Sequence, residues 1–306
     1  MQLTDPLTED RRFHDLWIEY SGPGQIFSQW EMYTESASRL CNEDAWLFDL
    51  INHRRFAVFD GATSLDNSSK DGFSGAYWAS HIVRDAFKVY GDRDLFLCSA
   101  IANVHLRQAM AKQGINLSKK EFLWSTTITA VDLGNDCFSW LNVGDSALVA
   151  IYKDGQYEIL SGDNDHDLPT RRLLWEMHLK YPEAKAKQMR QLVNDQLIAN
   201  RKLANVEYGC LNGEEDSMKF IKTGRKSLHN LAHLLLLTDG MFLPNEGFAG
   251  IEHPDDFDSL VNLFLKSNCL HDVAKMVRSL ERSDPDCHRF LRAKPFDDVT
   301  GIAISF

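Results

Sequence analysis

Apolar and polar positions along the 306-residue chain change period several times, and each change marks a new element. Gln25 to Thr34, Ala45 to Ile51 and Arg55 to Phe59 are aromatic-rich and partly alternating, which predicts strands. The period then lengthens. Ala79, Ile82, Val83, Ala86, Phe87 and Tyr90 recur every three to four residues and predict an amphipathic helix over about Ser74 to Tyr90. Leu95, Ala102, Leu106 and Met110 do the same within Arg93 to Gln113. From Trp124 to Leu160 the short period returns, with Gly134-Asn135 and Asp154-Gly155 as hairpin turns between antiparallel strands. A charged, helix-forming stretch from Thr170 to Ala204, interrupted at Pro182, reads as an insertion or flap at about 165–204 beside the sheet. Val206 to Leu211, Met218 to Ile221 and His233 to Thr238 predict further strands, followed by helices near Asp255 to Ser267 and His271 to Glu281 and a last strand from Val299 to Phe306. No clear period precedes the Gly22-Pro23-Gly24 turn. Helices grouped in pairs between blocks of antiparallel strands predict an α+β layered sandwich rather than a doubly wound sheet.

Composition narrows the partners. A formal charge of −11 argues against nucleic acid and anionic membrane surfaces, which need clustered Lys and Arg to neutralise phosphates. Met1 to Arg12 is polar and acidic, unlike a signal peptide, and apolar runs such as Leu234 to Leu237 are too short to span a bilayer. Six scattered cysteines without a C-x-x-C pair read as reduced thiols, which suits a cytoplasmic protein and gives no support to a zinc site.

Five acidic clusters attach to predicted strand ends: Asn42-Glu43-Asp44, Asp60-Gly61, Gly144-Asp145-Ser146, Asp239-Gly240 and Asp297-Asp298. Phe56 to Phe59, Leu141 to Val143 and Leu234 to Thr238 lead directly into three of them, and Asp297-Asp298 leads into Val299 to Ile304. Taken alone, each Asp-Gly pair reads as an ordinary turn. Taken together, carboxylates at rigid strand ends repel one another unless a cation sits between them, and oxygen donors suit Mg²⁺ or Mn²⁺.

In their order and spacing, Asn42-Glu43-Asp44, Phe56 to Gly61, Ser125-Thr126-Thr127, Asn142 to Ser146, Leu237 to Gly240 and Asp297 to Thr300 resemble the motif series of the metal-dependent type 2C serine/threonine protein phosphatases. The motifs extend over residues 39–306, so the resemblance implies one phosphatase-like domain over 1–306. The fold it implies is α+β, a four-layer αββα sandwich of two mostly antiparallel sheets flanked by helix pairs. Asp60 would bridge two Mn²⁺ or Mg²⁺ ions, with the Gly61 carbonyl on one, and Asp239 and Asp297 would hold the other. Glu43 and Asp44 would bind metal-coordinated waters, and Asp145 would join a third, weaker metal site. Arg39 matches the phosphate-binding arginine, whose guanidinium makes two parallel hydrogen bonds to phosphate oxygens.

The activity so implied is hydrolysis of phosphoserine and phosphothreonine on protein substrates, by in-line attack of a water activated by two ions. The oligomeric state stays open, with a monomer favoured. Two departures from the family pattern resemble a bacterial-type branch or bear on ligand choice: Ala62 stands where many members have His, and Asp298 where the family has Asn, with Asp297 the ligand by register. A catalytically inert module binding a phosphorylated or regulatory partner, and a phosphatase of small phosphate esters, remain alternatives. Asp163 to Asp167 resembles an acidic turn of the family and otherwise reads as a solvated loop.

Overall fold

A computed structural model of the protein describes residues 13–19, 26–37, 41–49, 54–62, 72–161 and 165–306. The chain enters through β1 (Phe13–Glu19), β2 (Gln29–Glu35), β3 (Ala45–Asp49) and β4 (Arg55–Phe59), then forms α1 (Gly75–Val89) and α2 (Leu95–Lys112). Next come β5 (Ile128–Leu133), β6 (Cys137–Val143), β7 (Ala147–Tyr152) and β8 (Tyr157–Ile159). The charged stretch folds as α3 (Leu168–Lys180), α4 (Ala186–Leu192) and α5 (Asn194–Lys202). The chain then adds β9 (Lys222–Ser227), β10 (Leu231–Leu237), the single turn α6 (Ala249–Glu252), α7 (Phe257–Ser267), α8 (Leu270–Ser283) and β11 (Val299–Ser305).

These strands make two sheets, ordered β1-β2-β11-β10-β7-β8 and β3-β4-β5-β6-β9. Every pairing between them is antiparallel. Side-chain alternation sorts the apolar residues into three layers of core. On β4, Phe56 and Val58 face the other sheet, where they meet Trp30, Leu234, Leu236, Ile302 and Ile304. Ala57 and Phe59 face outward onto Val83, Phe87 and Leu106 of α1 and α2. Likewise Leu235 and Leu237 of β10 turn to Leu260, Phe264 and Val273 of α7 and α8. Helices, sheet, sheet and helices are therefore the four layers expected. Each fully buried Leu, Val or Phe contributes about 1.5–3 kcal/mol, so the central strands, apolar on both faces, anchor the fold.

Local sequence sets the helix ends. Ser74 caps α1 by accepting from Tyr77 N at 3.1 Å, and Asp94 caps α2 by accepting from Leu97 N at 2.8 Å. The break predicted at Pro182 separates α3 from α4, and Leu174, Met189 and Val193 give α3 to α5 a small core of their own.

Several expected boundaries differ. β1 lies where no period was visible. Met218 to Ile221 belongs largely to a 3₁₀ turn over Glu215–Phe220, and the strand follows it as the polar β9. Val206 to Leu211 forms only isolated bridges, Ala204 to Tyr208 and Leu211 to Thr126. None of the six cysteines is in a disulfide, and among the described residues no helix is long and apolar enough to cross a membrane.

Candidate metal centre

The five acidic clusters come from both sheets. Asp60 follows β4, Glu43 and Asp44 precede β3, Asp239 follows β10, and Asp297 and Asp298 precede β11. Asp145 lies where the chain leaves β6 in one sheet and enters β7 in the other, so the two strands do not pair across this turn. Gly144 makes that crossing possible: its φ is +94°, and a Cβ there would sit 2.6 Å from Thr127 Cβ.

Hydroxyls and amides lock these strand ends together. Thr126 Oγ1 and Thr127 N donate to the Asp60 carbonyl at 2.7 and 2.9 Å. Thr127 and Ser146 share a hydroxyl hydrogen bond at 2.5 Å, while Asn142 Nδ2 donates to the Ser146 carbonyl at 2.7 Å. Thr238 Oγ1 donates to Asp44 Oδ2 at 2.9 Å and accepts from Thr300 N at 3.0 Å. Glu43 is tied to α1, accepting from Ser74 Oγ on its carboxylate and from Ser80 Oγ on its carbonyl, both at 2.5 Å.

Gly61 and Gly240 serve close approach. Neither has a positive φ, so what each glycine provides is room. A Cβ on Gly61 would meet the Glu43 carbonyl at 2.4 Å, and one on Gly240 would meet the Asp298 carbonyl at 1.8 Å.

Electrostatics follow from this crowding. Asp60 is only partly exposed, and the protein packed around it, followed by Asp239, Asp44, Asp297 and Asp145, raises its pKa well above the usual carboxylate range. Asp239 is raised by burial and then by Asp145, and its carboxyl hydrogen-bonds that of Asp60. Asp44 is buried, and burial, Asp298 and Asp297 hold its pKa well up. Asp297 is pushed up to about 6 by burial and by Asp239, against the pull of Lys294. Four carboxylates that disfavour one another's charge form an all-oxygen donor set of the kind hard divalent cations take.

Asp60, Asp239, Asp297, Asp44 and Asp145 are therefore neighbours, and Glu43 abuts Gly61. Arg39 lies outside the described residues, as do Asp163 and Asn164. Asp298 has a separate job: its carboxylate accepts from Ala37 N and Glu43 N, each at 2.6 Å, which ties both residues to the start of β11. Among the described residues, no three His, Cys, Asp or Glu side chains are already posed to hold an ion.

Two groups at the cluster, Lys294 and Asp255, escaped the sequence reading, and a third, His166, lies in the acidic turn already singled out. Lys294 Nζ lies 2.5 Å from Asp297 Oδ1. Asp255 arrives on a loop bridged to Pro244, and burial, then Asp239, push its pKa up to about 7. His166 lies 4.0 Å from Asp145 and stacks on Tyr208 at 4.1 Å, so this part of the acidic turn packs against the protein. Neither Lys294 nor Asp255 carried any sequence signal.

The fold is shared with solved phosphatases. The serine/threonine phosphatase Stp1 from Staphylococcus aureus superposes with a TM-score of 0.57 at 17% identity, over 94% of this chain and 98% of that one. The catalytic domain of the serine/threonine protein phosphatase PstP, in complex with two manganese ions, gives 0.53 at 17% identity over 90% and 96%. RsbX in complex with magnesium gives 0.52 at 12% identity over 95% and 99%. A sequence comparison with curated proteins finds no match. The protein phosphatase 2C profile matches residues 34–282, which takes in Glu43, Asp44, Asp60, Asp145 and Asp239 and stops before Asp297, so the chain belongs to the protein phosphatase 2C family.

Proposed function

We propose that the protein is a metal-dependent phosphatase of phosphoserine and phosphothreonine on proteins. The observation that carries this reading is the meeting of Asp60, Asp239, Asp297, Asp44 and Asp145 from separate strand ends of both sheets, with the mutual elevation of carboxylate pKa values that a cation would relieve. Asp60, the Gly61 carbonyl, Asp239 and Asp297 would hold two Mn²⁺ or Mg²⁺ ions, with Asp145 available to a third. Bound there, the ions would activate a water for in-line attack on phosphorus and neutralise the phosphoryl oxygens.

The chain's own residues orient the reaction. Glu43, fixed by Ser74 at the start of α1, and Asp44, fixed by Thr238, would hold and position waters at the cleft. Arg39 would clamp the substrate phosphate through its guanidinium. Ala62 offers no proton, so the leaving group would take its proton from a water or from another residue. Residues 165–204 would border the approach and contribute to substrate choice, with a cytoplasmic monomer as the working form.

Purified protein should hydrolyse a phosphopeptide with Mn²⁺ and stop on chelation. Asp239→Asn should cost at least about a hundredfold in turnover, since a misplaced reacting geometry alone costs that much. Full activity in that variant would overturn the proposal. A panel including small phosphate esters fixes the substrate class. One observation favours a second reading, an inert module that binds a phosphorylated partner: Lys294 already places a positive charge against Asp297. Absence of Mn²⁺ binding at millimolar concentration by calorimetry would select it.

A further inference from the structure

Lys294 sits three residues before Asp297, on the loop between α8 and β11, and its ammonium is 2.5 Å from Asp297 Oδ1. The loop is held on both sides. Arg292 donates to Asp284 Oδ2 at 2.8 Å and to the Pro295 carbonyl at 3.2 Å. Arg190 of α4 reaches the Ala293 carbonyl at 3.4 Å, and His288 pairs with the Ala184 carbonyl at 2.7 Å. The Lys294 backbone is thereby fixed, while its side chain, 37% exposed, keeps a flexible stem and a path to solvent.

We propose that Lys294 is a built-in counter-cation of the carboxylate cluster, which holds Asp297 in the metal-free protein and is displaced by the ion that uses Asp297. The inference rests on the metal-dependent reading above and adds a competition to it. Asp297 Oδ1 also accepts from Asp298 N at 2.8 Å, so the ammonium and the backbone amide together occupy one oxygen of this carboxylate. An incoming divalent ion brings twice the charge of the ammonium and is attracted by Asp239 and Asp60 as well. The ammonium must move aside first, and that lowers the affinity of this one position relative to its neighbour. Burial works against the charge on Lys294, but Asp297, Asp239 and Asp60 outweigh it and raise its pKa, so the ammonium is present at any working pH.

Calorimetric titration of the chelator-treated full chain with Mn²⁺ tests this, using wild type, Lys294→Gln and Lys294→Arg. The expected result is that Lys294→Gln binds the weaker ion on the order of tenfold more tightly and leaves the tighter ion unchanged. Lys294→Arg, which keeps the charge, should stay near wild type. The metal-free Lys294→Gln protein should also melt below wild type, since its carboxylates have lost their internal cation. Equal Mn²⁺ isotherms for wild type and Lys294→Gln would overturn the competition while leaving the metal-dependent reading intact. No Mn²⁺ binding by any of the three proteins would overturn both.

Discussion

Replacing Gly240 by alanine asks whether the carboxylate cluster depends on the contact between the ends of β10 and β11. The new Cβ would lie 1.8 Å from the Asp298 carbonyl oxygen and 3.3 Å from Asp297 Cβ, where ordinary contact begins near 3.4 Å. The blocking atom is backbone, so the strand ends have to part by more than an ångström. They are pinned at that point by Thr238 N to the Thr300 carbonyl at 2.9 Å and Thr300 N to Thr238 Oγ1 at 3.0 Å. Overpacking costs about 1–3 kcal/mol, and weakening the two hydrogen bonds adds about 1 kcal/mol. A loss near 3 kcal/mol corresponds to a fall of about 6 °C in Tm, at the roughly 2 °C per kcal/mol of a large domain. The same displacement carries Asp239 away from Asp297, and a 1 Å error in a reacting geometry costs about a hundredfold in rate. Thermal melting without metal and Mn²⁺-dependent phosphopeptide hydrolysis read the two effects separately. If Gly240→Ala melts within a degree of wild type and keeps its Mn²⁺ affinity and turnover, close approach is not what this glycine provides.

Removing the Asp298 carboxylate as Asp298→Ala leaves Ala37 N and Glu43 N without their acceptor, and each orphaned amide costs about 1–3 kcal/mol. Melting should show a clear destabilisation, smaller for Asp298→Asn, which keeps one acceptor oxygen. Asp132→Asn should cost about 3 kcal/mol, because it takes the opposite charge from the Arg55 guanidinium, only 2% exposed, that now bonds Asp132 at 2.6 and 2.7 Å. This pair is remote from the cluster, so Mn²⁺ affinity should not change, and a change would contradict the separation of structural from functional charges. Asp255, with its pKa raised to about 7 by burial and Asp239, binds its proton more tightly folded than unfolded. Its contribution to stability is therefore full below about pH 4 and is lost as pH rises toward 7. Chelator-treated Asp255→Asn should gain stability relative to wild type across that window, and parallel pH–melting curves would refute the assignment.

The central strands were legible because both their faces are covered. Phe56 to Phe59 and Leu234 to Leu237 leave no polar position to confuse the period, and structure and expectation agree there almost residue for residue. Edges were not legible. β9, with the sequence Lys-Thr-Gly-Arg-Lys-Ser, pairs only with β6 and turns largely to solvent, so it carries no apolar pattern. The carboxylates were readable as strand-end residues following apolar runs. Lys294 and Asp255 reach the same place from irregular loops, where no periodicity announces direction, and only the folded path of α8 into β11 and the Pro244 bridge bring them in.

Within the motifs, the residues that bear charge and those that bring charges together are different. Asp60 and Asp239 each sit beside a glycine whose missing Cβ lets backbone carbonyls approach, and beside threonines whose hydroxyls bind across the strand ends. That division resolves an apparent conflict in the energetics. Carboxylates crowded in this way oppose folding when charged, since burial and mutual repulsion raise their pKa values. The hydrogen bonds that oppose this repulsion run between backbone and hydroxyl groups: Thr126 and Thr127 to the Asp60 carbonyl, Thr127 to Ser146, and Thr238 to Thr300. A lattice of backbone and hydroxyl groups keeps the carboxylates together, and the repulsion it maintains is what would give a divalent cation, or Lys294 in its stead, a reason to bind there.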